Sequence, residues 1–214
     1  MEKRADLSQP LTARIMEAID GDKKDEAKKL VKQMARESQI MHDGLLDSVE
    51  LSLTFISEKL GEESVEEAWR YLARYNWKPA FEMFKKLDHD QIVEILASSH
   101  RAHGSEFYVE QDEEKSVFTI TDCGGGGKLR KDGKLDYTNR HPMDGGATKK
   151  PYRWSCDQTG MPYYCVHGPV WLDSLPMEWG WGIFDFQYGR QFDDDGNPVN
   201  EPCREIIYRK PRSA

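Results

Sequence analysis

The chain has 214 residues, 38% hydrophobic and 32% charged, a composition typical of a soluble globular protein that buries its own core. Its formal net charge of -8 offers no basic face for neutralising phosphates, which argues against nucleic acid as a partner. The charged N-terminus, and the lack of an apolar stretch long enough to cross a bilayer, argue against a membrane segment, so we expect a cytoplasmic protein.

Apolar residues recur at helical spacing through the first 104 residues. A short first helix is expected around Leu11 to Ile19. A longer pattern follows from Ala27 to Leu60, which Gly44 bends or divides and for which Gly61 is a suitable C-cap.

Three further helices are predicted from their start signals. Ser64 and Glu67 have capping-box spacing, Pro79 suits a first helical turn in a helix ending near Leu87, and Asp88 is an N-cap candidate for the last helix. Residues 1–104 are therefore expected to form a helical bundle or cap.

Beyond Gly104 the pattern changes to strands. Residues 106–111 and 115–121 alternate and predict a hairpin, residues 128–150 a long loop, and residues 163–167 and 204–209 two more strands. The expected fold class is α+β, with the helices at 1–104 followed at 105–214 by a small antiparallel sheet with long loops.

The four cysteines all lie at or after position 123, and in a reducing compartment they are expected to be ligands or nucleophiles rather than disulfide partners. Cys165 and His167, two residues apart on a predicted strand, would face one ion together. Cys123 follows the hairpin and Cys203 precedes the last strand, so three strand ends converge. We predict a metal site of Cys123, Cys165, His167 and Cys203. Thiolate and imidazole ligands suit zinc, with iron as the alternative.

Two other interpretations of the cysteines stay open. Buried cysteines often behave as small hydrophobic residues with no chemical role. Alternatively, Cys123 is a nucleophile, because the N–H groups of the following glycines, residues 124–127, form an anion-binding nest that lowers a thiol pKa.

Histidines in the helical half are candidates for proton transfer. His42 lies at the edge of the long apolar stripe beside Asp43, and His100 extends the stripe of the last helix. We predict His42 and His100 as acid/base residues, with Asp43 orienting His42. The alternative for each histidine is a hydrogen-bonded helix residue or a helix-terminal cation.

Three stretches of the chain resemble a group of uncharacterised bacterial proteins that carry a Cys-Gly-Ser-Gly-Gly-Arg-like loop motif and a Tyr-Cys-x-His motif. The matching stretches are residues 121–130, 163–167 and 202–203, and His42-Asp43 near a helix end is similar as well. This chain has glycine where serine is usual in the loop, and Gly168 where the resemblance implies a cysteine. The resemblance implies no reaction.

These features together favour a small-molecule metalloenzyme of hydrolase or lyase type that uses zinc or iron. The alternative is a ligand-binding or interaction module with a structural zinc. A metal closed by four protein ligands is typical of the module, whereas an open coordination position is typical of the enzyme.

Overall fold

The computed structural model describes residues 5–135, 143–193, 195, 197 and 199–212, except for the side chains of residues 5 and 6. The chain forms two compact units, Met1–Leu45 and Leu46–Ala214, and the predicted boundary at residue 104 lies inside the second. Within the described ranges, no helix has the length and apolar character needed to cross a bilayer.

The five predicted N-terminal helices are confirmed as α2 (Leu11–Asp20), α3 (Lys24–Leu60), α4 (Ser64–Tyr75), α5 (Trp77–Phe84) and α6 (His89–Ala102). A short helix that was not predicted, α1 (Ala5–Ser8), precedes them. The helix α3 continues through Gly44 and ends before Gly61, whose φ of +97° is the left-handed conformation that glycine adopts at helix C-termini. The helix α5 ends at Phe84, earlier than the predicted Leu87.

The helix cap predicted at Asp88 is confirmed, whereas the one predicted at Ser64 is not. The Asp88 carboxylate accepts the Gln91 N–H at 2.8 Å, and the Gln91 side chain accepts the Asp88 N–H at 3.0 Å, which completes a capping box. The capping box predicted at Ser64 is wrong, because the Ser64 hydroxyl donates back to the Leu60 carbonyl at 3.2 Å. Hydroxyl groups compete for nearby carbonyls in this way at helix ends.

Replacing Asp88 with alanine is expected to lower the free energy of unfolding by about 1 kcal/mol, because an N–H at the start of α6 loses its acceptor. Glu94→Ala is the matched control: this exposed acid of the same helix pairs with Arg101, and we expect its loss to cost less than about 0.5 kcal/mol. Urea unfolding of both variants measures the difference. Equal losses would contradict the capping role.

The sheet is antiparallel throughout, with the strand order β1-β2-β4-β3. Its strands are β1 (Glu106–Gln111), β2 (Lys115–Asp122), β3 (Phe184–Gln187) and β4 (Cys203–Tyr208). The predicted hairpin is confirmed, and β4 begins one residue before its predicted start. Directly opposed residues share a face, so Phe118, Phe186 and Glu205 lie together on one face of the sheet.

The second unit contains two large apolar clusters and a smaller one of Leu46, Leu129 and Leu135. One joins α5 and α6 to the sheet through Phe81, Leu96, Phe118 and other residues. The other surrounds Trp69 of α4. Helices and sheet therefore share a continuous core on the side where Glu205 lies.

The strand predicted at residues 163–167 is wrong. Residues 163–178 form an irregular helical segment: a 3₁₀ turn (Tyr163–Val166), a short α-helical stretch (His167–Pro169), a π-helical turn (Val170–Ser174) and a final α-helical turn (Leu175–Glu178). The Tyr163 hydroxyl donates to Glu62 at 2.8 Å and its carbonyl accepts the Trp69 indole N–H at 2.8 Å. These tertiary bonds outweigh the β propensity of the Tyr-Tyr-Cys-Val sequence.

The predicted loop at residues 128–150 also contains helical structure, because α7 (Gly126–Lys131) begins within the glycine run. Residues 136–142 of that loop lie outside the described residues.

Candidate thiol-lined cavity

Strand pairing brings two of the predicted ligands to one edge of the sheet. The strand β2 ends at Asp122 and Cys123 follows it directly, while β4 begins at Cys203, which lies opposite Ile120. The end of β2 and the start of β4 are therefore neighbours, as expected from the sequence.

Cys165 reaches the same place from the 3₁₀ turn rather than from a strand. A Cβ atom built on Gly126 would lie 2.0 Å from the Cys165 Sγ, so this thiol sits directly against the start of α7. Any side chain at position 126 would displace it.

Close contacts with neighbouring atoms explain why this segment contains glycines. A Cβ atom on Gly124 would lie 1.8 Å from the His103 carbonyl oxygen, and at Gly126 it would overlap Cys165, while neither residue has a positive φ. These glycines therefore permit close approach rather than unusual backbone dihedrals. The nest predicted for this run remains a prediction.

The three thiols line a single cavity of about 580 Å³. We call it the thiol cavity. Its walls also include Asp122, Arg130, Lys131, Tyr188, Gln191, Phe192 and Glu201. The volume is within the range of small-molecule sites. Cys156 is not among the residues that line it; this cysteine has a left-handed backbone (φ 54°) and packs against the Trp69 cluster.

The surroundings hold two of the thiols in their protonated form. Burial raises the pKa of Cys165 well above its ordinary value, and the neighbouring Cys123 and Cys203 raise it further, whereas the Arg130 charge lowers it. Burial also raises the pKa of Cys203 to about 12, although a hydrogen bond from the Gly189 N–H opposes this. Raised pKa values disfavour both thiols as nucleophiles. A bound cation would reverse this effect by stabilising the thiolates.

A guanidinium is fixed beside the thiols. Arg130 donates from one terminal nitrogen to the Gln191 side-chain oxygen and from the other to the Tyr188 hydroxyl, each at 2.6 Å. Two carboxylates among the described lining residues have cationic partners: Asp122 pairs with Lys131, and Glu201 pairs with Arg190. The two Arg130 contacts given above are to neutral oxygens.

His167 is adjacent to the Cys165 turn but does not line the thiol cavity. Its Nδ1 lies 2.6 Å from the Tyr164 carbonyl, and its ring packs against Trp69, Tyr164 and Trp171 at centroid distances of 5.2, 4.8 and 5.8 Å. Burial lowers the pKa of His167, and the Tyr164 carbonyl partly opposes this. The imidazole is therefore neutral near pH 7.

His100 forms a largely buried pair with Glu205. Its Nε2 lies 3.1 Å from the Glu205 Oε2, and the two side chains are only 14% and 13% exposed. Burial lowers the pKa of His100, but the hydrogen bond and negative charge of Glu205 outweigh this and raise the pKa above its ordinary value. Glu205 and Cys203 lie on the same face of β4, so the pair is close to the thiol cavity without lining it.

His42 and Asp43 lie on α3 in the first unit. The His42 Nδ1 is 3.1 Å from the Asp43 carboxylate, and both side chains are largely buried, at 17% and 28% exposure. Asp43 is therefore in contact with His42, the residue that it was predicted to orient.

Within the described residues, no group of three or more Cys, His, Asp or Glu side chains has the arrangement of a metal site. Ligation by the three thiols would therefore require their Sγ atoms to turn toward one another. Rotation about χ1 between staggered positions provides such a movement.

Comparison with known proteins identifies no family for this chain. No protein-family model, curated protein or solved structure matches the chain.

The sequence predictions missed several residues of this region. Arg130 belongs to the glycine-rich motif and lies four residues after Gly126 on α7, but it was not predicted as a site residue. Glu205 was detectable, because it lies on the predicted last strand two residues after Cys203, and residues two apart share a face where the strand includes both. Tyr188 and Gln191 lie in irregular chain, where no periodic signal exists.

Proposed function

We propose that the protein is a cytoplasmic small-molecule metalloenzyme of hydrolase or lyase type, in which Cys123, Cys165 and Cys203 bind zinc or iron. The observation that carries the proposal is that these three thiols, from three separate segments, line one cavity of about 580 Å³. Three soft ligands suit either metal, and three protein ligands leave a coordination position for water or substrate.

The surroundings of Gly168 support an open fourth position. The resemblance described above implies a cysteine here, yet a Cβ atom on Gly168 would lie 2.6 Å from the Phe186 ring. Phe186 thus occupies the space that a side chain at position 168 would need. A fourth thiolate from this position is incompatible with the packing around Phe186.

His167 is the candidate that would close the site instead. Its Nδ1 is held by the Tyr164 carbonyl, a bond that metal-binding histidines commonly make with their second nitrogen. Ligation through Nε2 would give four protein ligands and favour the structural-zinc module. We favour the open site, because the His167 ring packs among aromatic side chains outside the cavity lining.

A metal bound by these thiolates would act as a Lewis acid and lower the pKa of a coordinated water. In this proposal, side chains of the protein orient the substrate and transfer protons. Arg130 and Tyr188 orient the substrate in the cavity, and His100, coupled to the cavity through Glu205, accepts or supplies a proton.

Single serine substitutions test the ligand assignment. We expect Cys123→Ser, Cys165→Ser and Cys203→Ser each to weaken zinc binding by ~10-fold or more, since each removes a thiolate. Cys156→Ser is the matched control and should retain zinc, because this half-buried thiol is not among the residues that line the cavity. Metal affinity is measured by competition with a chromophoric chelator, and circular dichroism checks that each variant is folded.

Two outcomes would contradict the proposal. If the three cavity variants bind zinc as tightly as Cys156→Ser, the thiols are not the ligands. If His167→Gln loses as much zinc as Cys165→Ser while remaining folded, the site has four protein ligands and the structural module is favoured.

A further inference from the structure

Thiols that share a cavity can react with one another as well as bind a metal. The three cysteines of the thiol cavity are free, and Cys156 outside it is free as well. Disulfides that form in a reducing compartment are usually transient and serve as redox sensors or in catalysis. The positions of the sulfur atoms decide which two thiols of the cavity can bond.

Two of the sulfur atoms lie against the start of α7. A Cβ atom built on Gly126 would lie 2.0 Å from the Cys165 Sγ. Cβ atoms built on Gly125 and Gly127 would each lie 3.7 Å from the Cys123 Sγ. The two sulfur atoms therefore border consecutive residues of the glycine run. Because glycine has no side chain, these residues add no side-chain atom to the space around the two sulfur atoms.

Cys203 approaches the cavity from a different side. It begins β4, and its Sγ accepts the Gly189 N–H at 3.4 Å. Burial is the main cause of the raised pKa of Cys165, and of its two thiol neighbours Cys123 raises it more than Cys203 does, as expected for the nearer charge. Cys123 and Cys165 are thus the pair that the contacts with α7 select.

We propose that Cys123 and Cys165 form a reversible disulfide when the protein meets a hydroperoxide, and that this bond releases the metal from the thiol cavity. The release of metal rests on the proposed function, whereas the disulfide does not. A sulfur atom bonded to another sulfur is no longer a thiolate, and the thiolate is the metal ligand. Oxidation therefore leaves Cys203 as the last of the three proposed ligands.

The first step consumes the hydroperoxide. With hydrogen peroxide, the Cys123 sulfur attacks one oxygen and the O–O bond breaks. The thiol proton leaves with the other oxygen as water, and Cys123 becomes a sulfenic acid. We assign this step to Cys123, because burial raises the pKa of Cys165 and of Cys203 and so disfavours both as the first nucleophile.

The second step forms the disulfide. The Cys165 sulfur attacks the Cys123 sulfur, the S–O bond breaks, and the hydroxyl group leaves as water with the Cys165 proton. Proximity favours this attack, since both groups lie against one helical turn. In total, two thiols lose two electrons and one hydrogen peroxide is reduced to two waters.

Treatment of the full-length protein with hydrogen peroxide tests the proposal. The intact mass should fall by about 2 Da, the two hydrogen atoms lost when a disulfide forms. Peptide mapping should link Cys123 to Cys165. Metal should appear in the filtrate in step with the disulfide, because we expect the oxidised form to bind zinc at least ~10-fold more weakly. Reduction followed by addition of zinc should restore binding.

Three variants serve as controls for the pairing. Cys203→Ser and Cys156→Ser should each still lose two hydrogen atoms, since neither thiol belongs to the pair. Cys165→Ser should gain oxygen instead, because the Cys123 sulfenic acid then has no resolving thiol.

Four results would overturn the inference. These are oxygen addition to the wild type without loss of hydrogen, a link that includes Cys203 or Cys156, loss of two hydrogen atoms in Cys165→Ser, and metal that stays bound to the linked protein. If the wild type carries no metal yet forms the Cys123–Cys165 link, the proposed function fails while the disulfide stands. If it carries metal and forms no link, the proposed function stands and the inference fails.

Discussion

Replacing Glu205 with alanine is expected to lower the free energy of unfolding by about 3 kcal/mol at pH 6, because the His100 imidazolium loses its partner in a largely buried position. His100 lies among aromatic rings, with Phe107 and Phe118 at centroid distances of 5.3 and 5.6 Å. Water therefore has little access to replace the carboxylate. Glu110→Ala, at an exposed position on β1, is the control and should change stability by less than about 0.5 kcal/mol.

The pH dependence identifies His100 as the group responsible. The folded protein raises the pKa of His100 above its ordinary value, so the pair stabilises the fold fully below about pH 6.5, the ordinary histidine pKa. That stability is lost as the pH rises through the raised pKa. The difference between wild type and Glu205→Ala should therefore shrink between pH 6 and pH 9. A difference that stays constant or grows over this range would contradict the assignment.

Gly124→Ala is expected to lower the free energy of unfolding by about 3 kcal/mol, the upper range for overpacking. The new methyl group would lie 1.8 Å from the His103 carbonyl oxygen and 2.8 Å from its carbon, and backbone atoms cannot rotate away as a side chain does. The loop between Cys123 and α7 would have to shift, so we also expect weaker metal binding.

Gly44→Ala makes the same chemical change, but we expect it to raise the free energy of unfolding. Among the described residues, a methyl group there meets no atom within 4 Å apart from its chain neighbours and the nearby backbone of α3, inside which the position lies. Alanine should stabilise the helix by about 0.5–1 kcal/mol, since it restricts the unfolded chain. Thermal unfolding of both variants gives the comparison. Stability of Gly124→Ala equal to wild type would show that this loop tolerates a side chain.

Local signals predicted much of the fold. Helical periodicity, the Asp88 cap and the glycine after Leu60 located α2 to α6, and alternation located the hairpin and β4. From these strands, the approach of Cys123 to Cys203 follows directly, because antiparallel neighbours bring the end of one strand to the start of the next.

Cys165 and His167 show why the rest of the site was not predictable. Their period-two spacing puts both on one face only in a strand, whereas in a helical turn residues two apart point in divergent directions. The turn forms because Tyr163 is held by Glu62 and Trp69, partners 101 and 94 residues away in sequence. Such bonds leave no local pattern. Cys165 consequently reaches the thiol cavity by a different element, and His167 packs among the aromatic rings of the Trp69 cluster.

The role of the glycine run also could not be predicted from the sequence. Four successive glycines suggest either a flexible turn or an anion nest, while the structure gives Gly124 and Gly126 a packing role against His103 and Cys165. Those neighbours are 21 and 39 residues distant in sequence, counted from the residue numbers. Only the three-dimensional fold reveals that a methyl group would not fit.

Metal content tests the central claim most directly. The protein is purified without chelators and its zinc and iron are measured by elemental analysis, in parallel with a variant in which Cys123, Cys165 and Cys203 are all serine. We predict about one metal ion per chain in the wild type, the occupancy of a single site, and none in the folded triple variant. A wild type without stoichiometric metal, or a folded triple variant that keeps it, would contradict the assignment of the thiol cavity as a metal centre.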